Sequence, residues 1–365
     1  MKPLLRSITP ADLLRPAIAL LLMAGLMLGG SPAFAGLPPG NAVTDPDALL
    51  RDALPVQQED LVGLQHRLEG TSDDLRAKRW SALLRTIRRT QAAYTTRRAV
   101  ILDAVPDDRR QRADGLMEQL RTDLEGLAEA AETRDRDAFL ADRRRALTAI
   151  GGVEALLVQG AEVVIPPEFD ALPRLVGRAT VSISTNKGEL LAVVDGYNAP
   201  LTAGAFVDLV RRGFYDGLPF IRAEDFYVLQ TGDPKGDADG FVDPASGRQR
   251  TVPLEIRIPG EEAPFYNQTF EDLGLYKATP TLPFATKGTM GWAHSDQALD
   301  DGSSQFFLFL FEPELTPAGL NLIDGRYAAF GYVVDGFDVL EELTADDRVE
   351  RIRLVNGEEM FMDHA

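Results

Sequence analysis

The chain has no cysteine and only three histidines, His66, His294 and His364, among 365 residues. Thiol nucleophiles, thiolate metal sites and disulfide scaffolds are excluded, and a histidine-built zinc site is disfavoured, so no metal or cofactor is expected. No G-x-G-x-x-G, Walker A, H-E-x-x-H or G-x-S-x-G pattern occurs. His294-Ser295-Asp296 carries the side chains of a hydrolytic triad. Triads are assembled in space, however, so adjacency says little and a polar loop accounts for the tripeptide. Two other segments are more specific. Phe220-Ile221-Arg222 is followed by Gln230-Thr231-Gly232-Asp233, and later by Gly302-Ser303-Ser304-Gln305-Phe306-Phe307. Taken alone, Arg222 fits a surface salt bridge and Phe307 fits plain core.

The order and separation of these segments resemble the cyclophilin family of peptidyl-prolyl isomerases. That family reads F-H-R-I-I-P-G-F-M-x-Q-G-G-D, then G-S-Q-F-F, then L-D-G-x-H-x-x-F-G. Here the spacing from Phe220 to Gln230 matches without a gap, and the second element carries one extra serine. The third element is Ile323-Asp324-Gly325-Arg326-Tyr327-Ala328-Ala329-Phe330-Gly331. The resemblance spans roughly residues 178–356 and implies a closed antiparallel β-barrel with two helices. It also implies proline-containing peptide segments of client proteins as substrate.

The chemistry implied is rotation about a peptide bond. The barrier of about 18–20 kcal/mol comes from delocalisation of the amide nitrogen's lone pair, and X–Pro isomers exchange slowly. Catalysis needs no nucleophile, only a site that favours the twisted amide. The resemblance gives Arg222 the role of donor to the prolyl nitrogen. Gln230 would hold the substrate backbone and Phe307 would floor the proline pocket. Phe220, Tyr227, Val228, Ala293, His294, Gln305, Leu322 and Tyr327 fall at the family's other peptide-binding positions. Several of these depart from the family pattern. Ile221 replaces a histidine, Tyr227 and Val228 replace phenylalanine and methionine, and Tyr327 replaces a second histidine. Leu322 replaces the tryptophan associated with cyclosporin, so weak binding of that drug is expected. Ala293-His294-Ser295 stands for alanine-asparagine-alanine and leads into an acidic loop with Asp296, Asp300 and Asp301. Two functions follow: an isomerase, or a peptide-binding scaffold in which the rebuilt shell has cost turnover.

These residues need a scaffold, and the length predicts two domains or three. Lys2, Arg6 and Arg15 precede an apolar run from Ala17 to Leu28, and Ala33-Phe34-Ala35 fits a signal-peptidase site. The run is short of the ~20 residues of a spanning helix, so residues 1–35 are expected to be a cleaved export signal. Residues 36–165 are expected to form an antiparallel helical bundle. Leu75, Trp80, Leu84, Ile87, Tyr94 and Ile101 recur at helical spacing, as do Leu116, Leu120, Leu124 and Leu127, then Phe139, Leu147 and Ile150. Thr71 with Asp74 suggests a capping box, and Pro106 a helix start. Prolines at 166, 167 and 173 predict a linker over 166–177, and alternating apolar stretches then predict the barrel over 178–365.

Net charge is −18. Residues 166–365 contribute −17 of it and residues 36–165 contribute −3. This opposes nucleic-acid binding. It also predicts that arginines between Arg85 and Arg98, or Arg143 to Arg145, face the acidic module, with autoinhibition if the contact covers Arg222. The alternative is that these arginines pair inside the bundle. The whole arrangement resembles the multidomain thylakoid-lumen cyclophilins of plants and cyanobacteria. Val252-Pro253-Leu254-Glu255, Pro264-Phe265-Tyr266 and the stretch from Glu271 to Ala278 resemble their insertion. That resemblance implies residence in the thylakoid lumen (or periplasm), with photosystem II subunits at the membrane surface as partners whose assembly is supported.

Overall fold

The computed structural model describes residues 43–158, 164–224, 227–236, 238–311 and 323–363. The expected export signal and Leu322 lie outside the described residues.

Among the described residues six helices come first: α1 (Pro46–Asp52), α2 (Glu59–Glu69), α3 (Ser72–Arg76), α4 (Trp80–Ala104), α5 (Asp107–Thr133) and α6 (Arg136–Val158). The α4 helix buries Leu83, Ile87, Tyr94 and Ile101, one stripe of a 3.6-residue period. Facing them on α5 are Ala113, Met117, Leu120, Leu124 and Leu127. The hydrogen bonds run in opposite senses along the two helices. Tyr94 Oη donates to the Met117 carbonyl at 2.8 Å and Gln91 Nε2 to that of Leu124 at 2.9 Å. The pair is therefore antiparallel, as the two-residue connection at Val105-Pro106 requires.

Two local expectations fail here. Thr71 does not cap α3, because its hydroxyl donates back to the Leu68 carbonyl at 2.5 Å across the tight turn that ends α2. Pro106 is the residue just before α5, and its extended backbone starts the helix at Asp107.

The remaining elements are β1 (Arg174–Leu175), β2 (Arg178–Thr185), β3 (Glu189–Asp195), α7 (Pro200–Arg211), β4 (Arg222–Glu224), β5 (Val228–Thr231), β6 (Glu255–Ile256), β7 (Phe265–Tyr266), β8 (Thr289–Trp292), β9 (Phe306–Phe309), β10 (Ala329–Asp335), α8 (Phe337–Glu342), β11 (Val349–Asn356) and β12 (Phe361–Met362). Eight strands make one curled antiparallel sheet in the order β11-β2-β3-β10-β8-β9-β5-β4. Its ladder is open, with β11 and β4 as edges, so the expected barrel is met here as a curled sheet. The α7 helix covers one face. Phe206 packs on Tyr215, Phe306 and Phe330 at centroid distances of 5.2–5.4 Å. The segment expected as a linker is built into this region: Leu175 is fully buried and β1 pairs with β12.

The helical region meets the sheet through α1, not through the arginines. Leu49, Leu50 and Ala53 join the apolar core of the sheet. Two side chains cap the C-terminal carbonyls of α1, groups a helix leaves without partners. Arg178 Nη2 donates to Leu50 O at 2.5 Å and Asn198 Nδ2 to Ala53 O at 2.8 Å. Arg178 is anchored by Asp195, which is fully buried, at 2.6 Å. Arginines expected to face the acidic module pair among the helices instead: Arg88 with Glu132, Arg98 with Asp114 and Glu118, Arg145 with Asp123 and Asp142. Arg143 donates to the Ser72 hydroxyl at 2.9 Å. Each has an acid or hydroxyl within reach on its own or a neighbouring helix.

Candidate active site

Strand register assembles the site. In β4 and β5, Arg222 lies opposite Gln230. In β5 and β9, Gln230 lies opposite Phe307. In β9 and β8, Phe307 lies opposite Gly291. Residues directly opposite in antiparallel strands project to the same face. A single row therefore crosses four strands: a guanidinium, an amide, an aromatic ring and a glycine. The glycine is required, because a Cβ at position 291 would stand 2.2 Å from the Phe307 ring.

A cavity of about 270 Å³ opens beside this row. Arg222, Tyr227, Val228, Gln230, Ala293, His294, Phe307 and Tyr327 line it, together with Ser295, Asp296 and Ile323. Eight of the expected positions thus converge. The Phe307 ring is fixed from beneath by stacking on Phe284 at 5.7 Å and edgewise by Tyr327 at 5.6 Å. A second cavity, of about 450 Å³, shares Gln230, Ala293, His294 and Ser295 with the first. Asp239, Gln249, Asp301, Ser303 and Gln305 form the rest of it. No lining residue of either cavity comes from the helices before residue 158, so among the described residues nothing from the helical region covers the groove.

Phe220 is a correction. It is 3% exposed and packs in the core, outside both cavities. It lies ahead of β4, where the chain is bonded to the β11 side through Phe220 N to Asp347 O at 3.1 Å, so the β4 alternation does not yet govern it.

Arg222 makes the surface salt bridge that its type alone suggested, and it also lines the groove. Its Nε lies 2.7 Å and its Nη2 2.6 Å from Glu224 Oε1, with both side chains about half exposed. Gln230 Nε2 donates to Gln305 Oε1 at 2.7 Å, and Gln305 Nε2 donates to the Asp239 carbonyl at 2.9 Å. This chain fixes which face of each amide points at the groove. The His294 ring stacks on Tyr327 at 4.6 Å, and its two nitrogens lie 2.8 and 2.9 Å from the carbonyl oxygens of Ser295 and Arg326. With both ring nitrogens turned to backbone carbonyls and neither to a hydroxyl or carboxylate, His294 is a wall and not the base of a triad. Burial, with Asp296 nearby, raises the Tyr327 phenol above its usual range, so it enters as a neutral hydroxyl. Nothing in the set attacks or cleaves; it offers N–H donors above an apolar floor.

Sequence reasoning missed Asp239 and Gln249 of the second cavity, and Glu224. Asp239 and Glu224 belong to no motif. The extra serine carries the signal: Ser303 Oγ accepts from Phe241 N at 2.9 Å and donates to Arg250 O at 2.6 Å, holding the 240–250 loop against the groove.

Two family models match the chain. The cyclophilin type peptidyl-prolyl cis-trans isomerase model covers residues 180–357, the curled sheet from within β2 onward and its site. The model described as the PsbQ-like domain of CYP38-like peptidyl-prolyl cis-trans isomerases covers residues 45–158. The chain belongs to the cyclophilin-type peptidyl-prolyl cis-trans isomerases, in the group that joins that catalytic domain to a PsbQ-like helical domain. Among curated relatives it is 49% identical to sll0408 of Synechocystis sp., named as a thylakoid lumen peptidyl-prolyl cis-trans isomerase, over 87% of this chain and 84% of that one. It is 39% identical to the chloroplastic isomerase CYP38 of Arabidopsis thaliana, over 93% of this chain and 84% of that one.

Proposed function

We propose that the chain isomerises X–Pro bonds in exported proteins of the thylakoid lumen, entering by a cleaved signal over residues 1–35, and that subunits of photosystem II are among its clients. The lumen assignment rests on the relatives' names, and the client assignment on resemblance to the lumenal cyclophilins. The reading of the site rests on the cross-strand row Arg222–Gln230–Phe307. The pyrrolidine ring lies on Phe307, Gln230 holds a backbone group of the peptide, and Arg222 donates to the prolyl nitrogen as its lone pair localises. The acidic cavity with Asp239 and Asp301 takes a neighbouring residue of the peptide and favours a basic one. We further read the curl as a closed barrel. Its support is the hydrogen-bond set between the two edges: Gly217 N to Val349 O, Val349 N to Leu218 O and Phe220 N to Asp347 O.

The test is proline isomerisation by the full chain on an Ala-Pro tetrapeptide. Arg222→Ala is expected to lower kcat by about 10²-fold, the scale of a lost transition-state donor, with peptide affinity little changed. Arg222→Lys rescues poorly, since an ammonium lacks the planar fork. Equal losses in rate and affinity would overturn the role given to Arg222.

A further inference from the structure

The helical region holds a cavity of its own, of about 400 Å³, walled by α1, α2, α6 and the loop after α1. Three carboxylates border it: Asp52, Glu69 and Glu154. Glu154 is 1% exposed, and neither of its oxygens has a hydrogen-bond partner. Buried polar groups are almost always paired, so a buried carboxyl with two orphan oxygens in a cavity wall is a site awaiting a donor. The one arginine in the wall, Arg51, is paired with Glu69, its Nη2 3.6 Å from Oε1, and its own buried Nε has no partner. A neutral amide does part of a cation's work, with Gln65 Nε2 bridging Asp52 Oδ1 at 2.8 Å and Glu69 Oε1 at 3.0 Å. Burial lifts Glu154 to about 7, and burial with Glu69 nearby lifts Asp52 to about 6. The cavity thus sets one arginine against three carboxylates and keeps surplus acid. His66 stands at its edge.

We propose that this cavity seats the cationic head of a lysine or arginine side chain from a partner polypeptide. The head takes the place of the Gln65 amide between Asp52 and Glu69, with Glu154 as the buried acid of the same wall, while its methylenes lie against Leu54, Val56 and Val62. That apolar wall suits an amphipathic side chain better than a hydrated ion. Among the described residues, no three His, Asp or Glu side chains converge closely enough to hold a metal. The site is independent of the isomerase groove.

The full chain would be titrated at pH 8 with N-acetyl-lysine methylamide, N-acetyl-arginine methylamide and the neutral N-acetyl-norleucine methylamide, followed by backbone amide NMR. The cationic probes should shift amides of residues 51–69 and 150–158 and bind about ten-fold tighter than the neutral one, the scale of one charge-assisted pair. Lowering the pH to 6 should weaken them several-fold as Glu154 takes up its proton. Glu154→Gln and Asp52→Asn should each remove most of the binding while leaving proline-isomerisation turnover unchanged. Equal binding of the norleucine probe, or undiminished binding by folded Glu154→Gln and Asp52→Asn, would overturn the proposal. So would calcium chloride at millimolar concentration displacing the probes through these same carboxylates, which would make the cavity a metal site.

Discussion

Two arginines at strand starts show how differently the same pair behaves in two parts of the molecule. Arg178, at the start of β2, meets Asp195 where the acid has no exposure. Arg222, at the start of β4, meets Glu224 with both side chains about half exposed. The first pair is desolvated and ties together three elements, because Asp195 also accepts from Asn198 N at 3.0 Å and Arg178 reaches the α1 carbonyl at Leu50. The second is screened by water and contributes little to stability. The guanidinium at the seam is therefore fixed, while the one in the groove is held only by a water-screened pair. The two arginines differ by burial and by how many groups the acid holds, not by sequence pattern.

The sharpest way to break this comparison is Asp195→Ala. It strands the Arg178 charge and frees Asn198, so denaturation of the full chain should show a loss of about 3–5 kcal/mol. A loss under about 1 kcal/mol, the scale of an exposed pair, would mean the two pairs are alike. Next in size is Gly291→Ala. Its methyl would meet the Phe307 ring at 2.2 Å, so the ring must move. An overpacking cost of about 1–3 kcal/mol is expected in stability, with a rise in KM for the peptide because the floor is displaced. An unchanged KM would show that Phe307 is not the floor.

A smaller effect tests burial through pH. Glu255, from the insertion, caps the start of α7: its carboxylate accepts from Thr202 N at 2.9 Å and Leu201 N at 3.1 Å. Burial nevertheless raises it from 4.5 to about 7. With the folded value above the unfolded one, its contribution is complete below about pH 4.5 and is lost as pH rises through about 7. Glu255→Gln keeps an acceptor oxygen and should flatten the melting temperature between those limits; an unchanged slope would place the titration elsewhere. The smallest effect belongs to Glu224→Gln. Stability should move by less than about 1 kcal/mol, and turnover should rise a few-fold because the guanidinium is freer to meet the amide. A fall in turnover comparable to that of Arg222→Ala would show instead that Glu224 orients the donor.

Much of this was legible because strand alternation and motif spacing are strong signals. The strands β2, β3, β10 and β11 fall within the span 178–365 where alternation predicts them. Arg222, Gln230 and Phe307 meet because a register that buries one face leaves few alternatives. What escaped depended on partners distant in sequence. The pairing of Arg98 with Asp114 rather than with the acidic module is a choice among many acids that charge totals do not resolve. Phe220 looked like its motif neighbours, yet it sits before the strand begins. Leu49 and Leu50 read as helix, and nothing in their spacing says which core they enter.

The seam at α1 has a consequence for how the chain is made. Ala53 waits for Asn198 and Leu50 for Arg178, separations of 145 and 128 residues. During synthesis from the amino end, the later helices find one another early, since their contacts are local. The first helix cannot finish until the second and third strands have been made. It remains an unsealed end, with two leucines uncovered, until more than half of the chain has been translated. An end made first is thus sealed only by residues from beyond the middle of the chain.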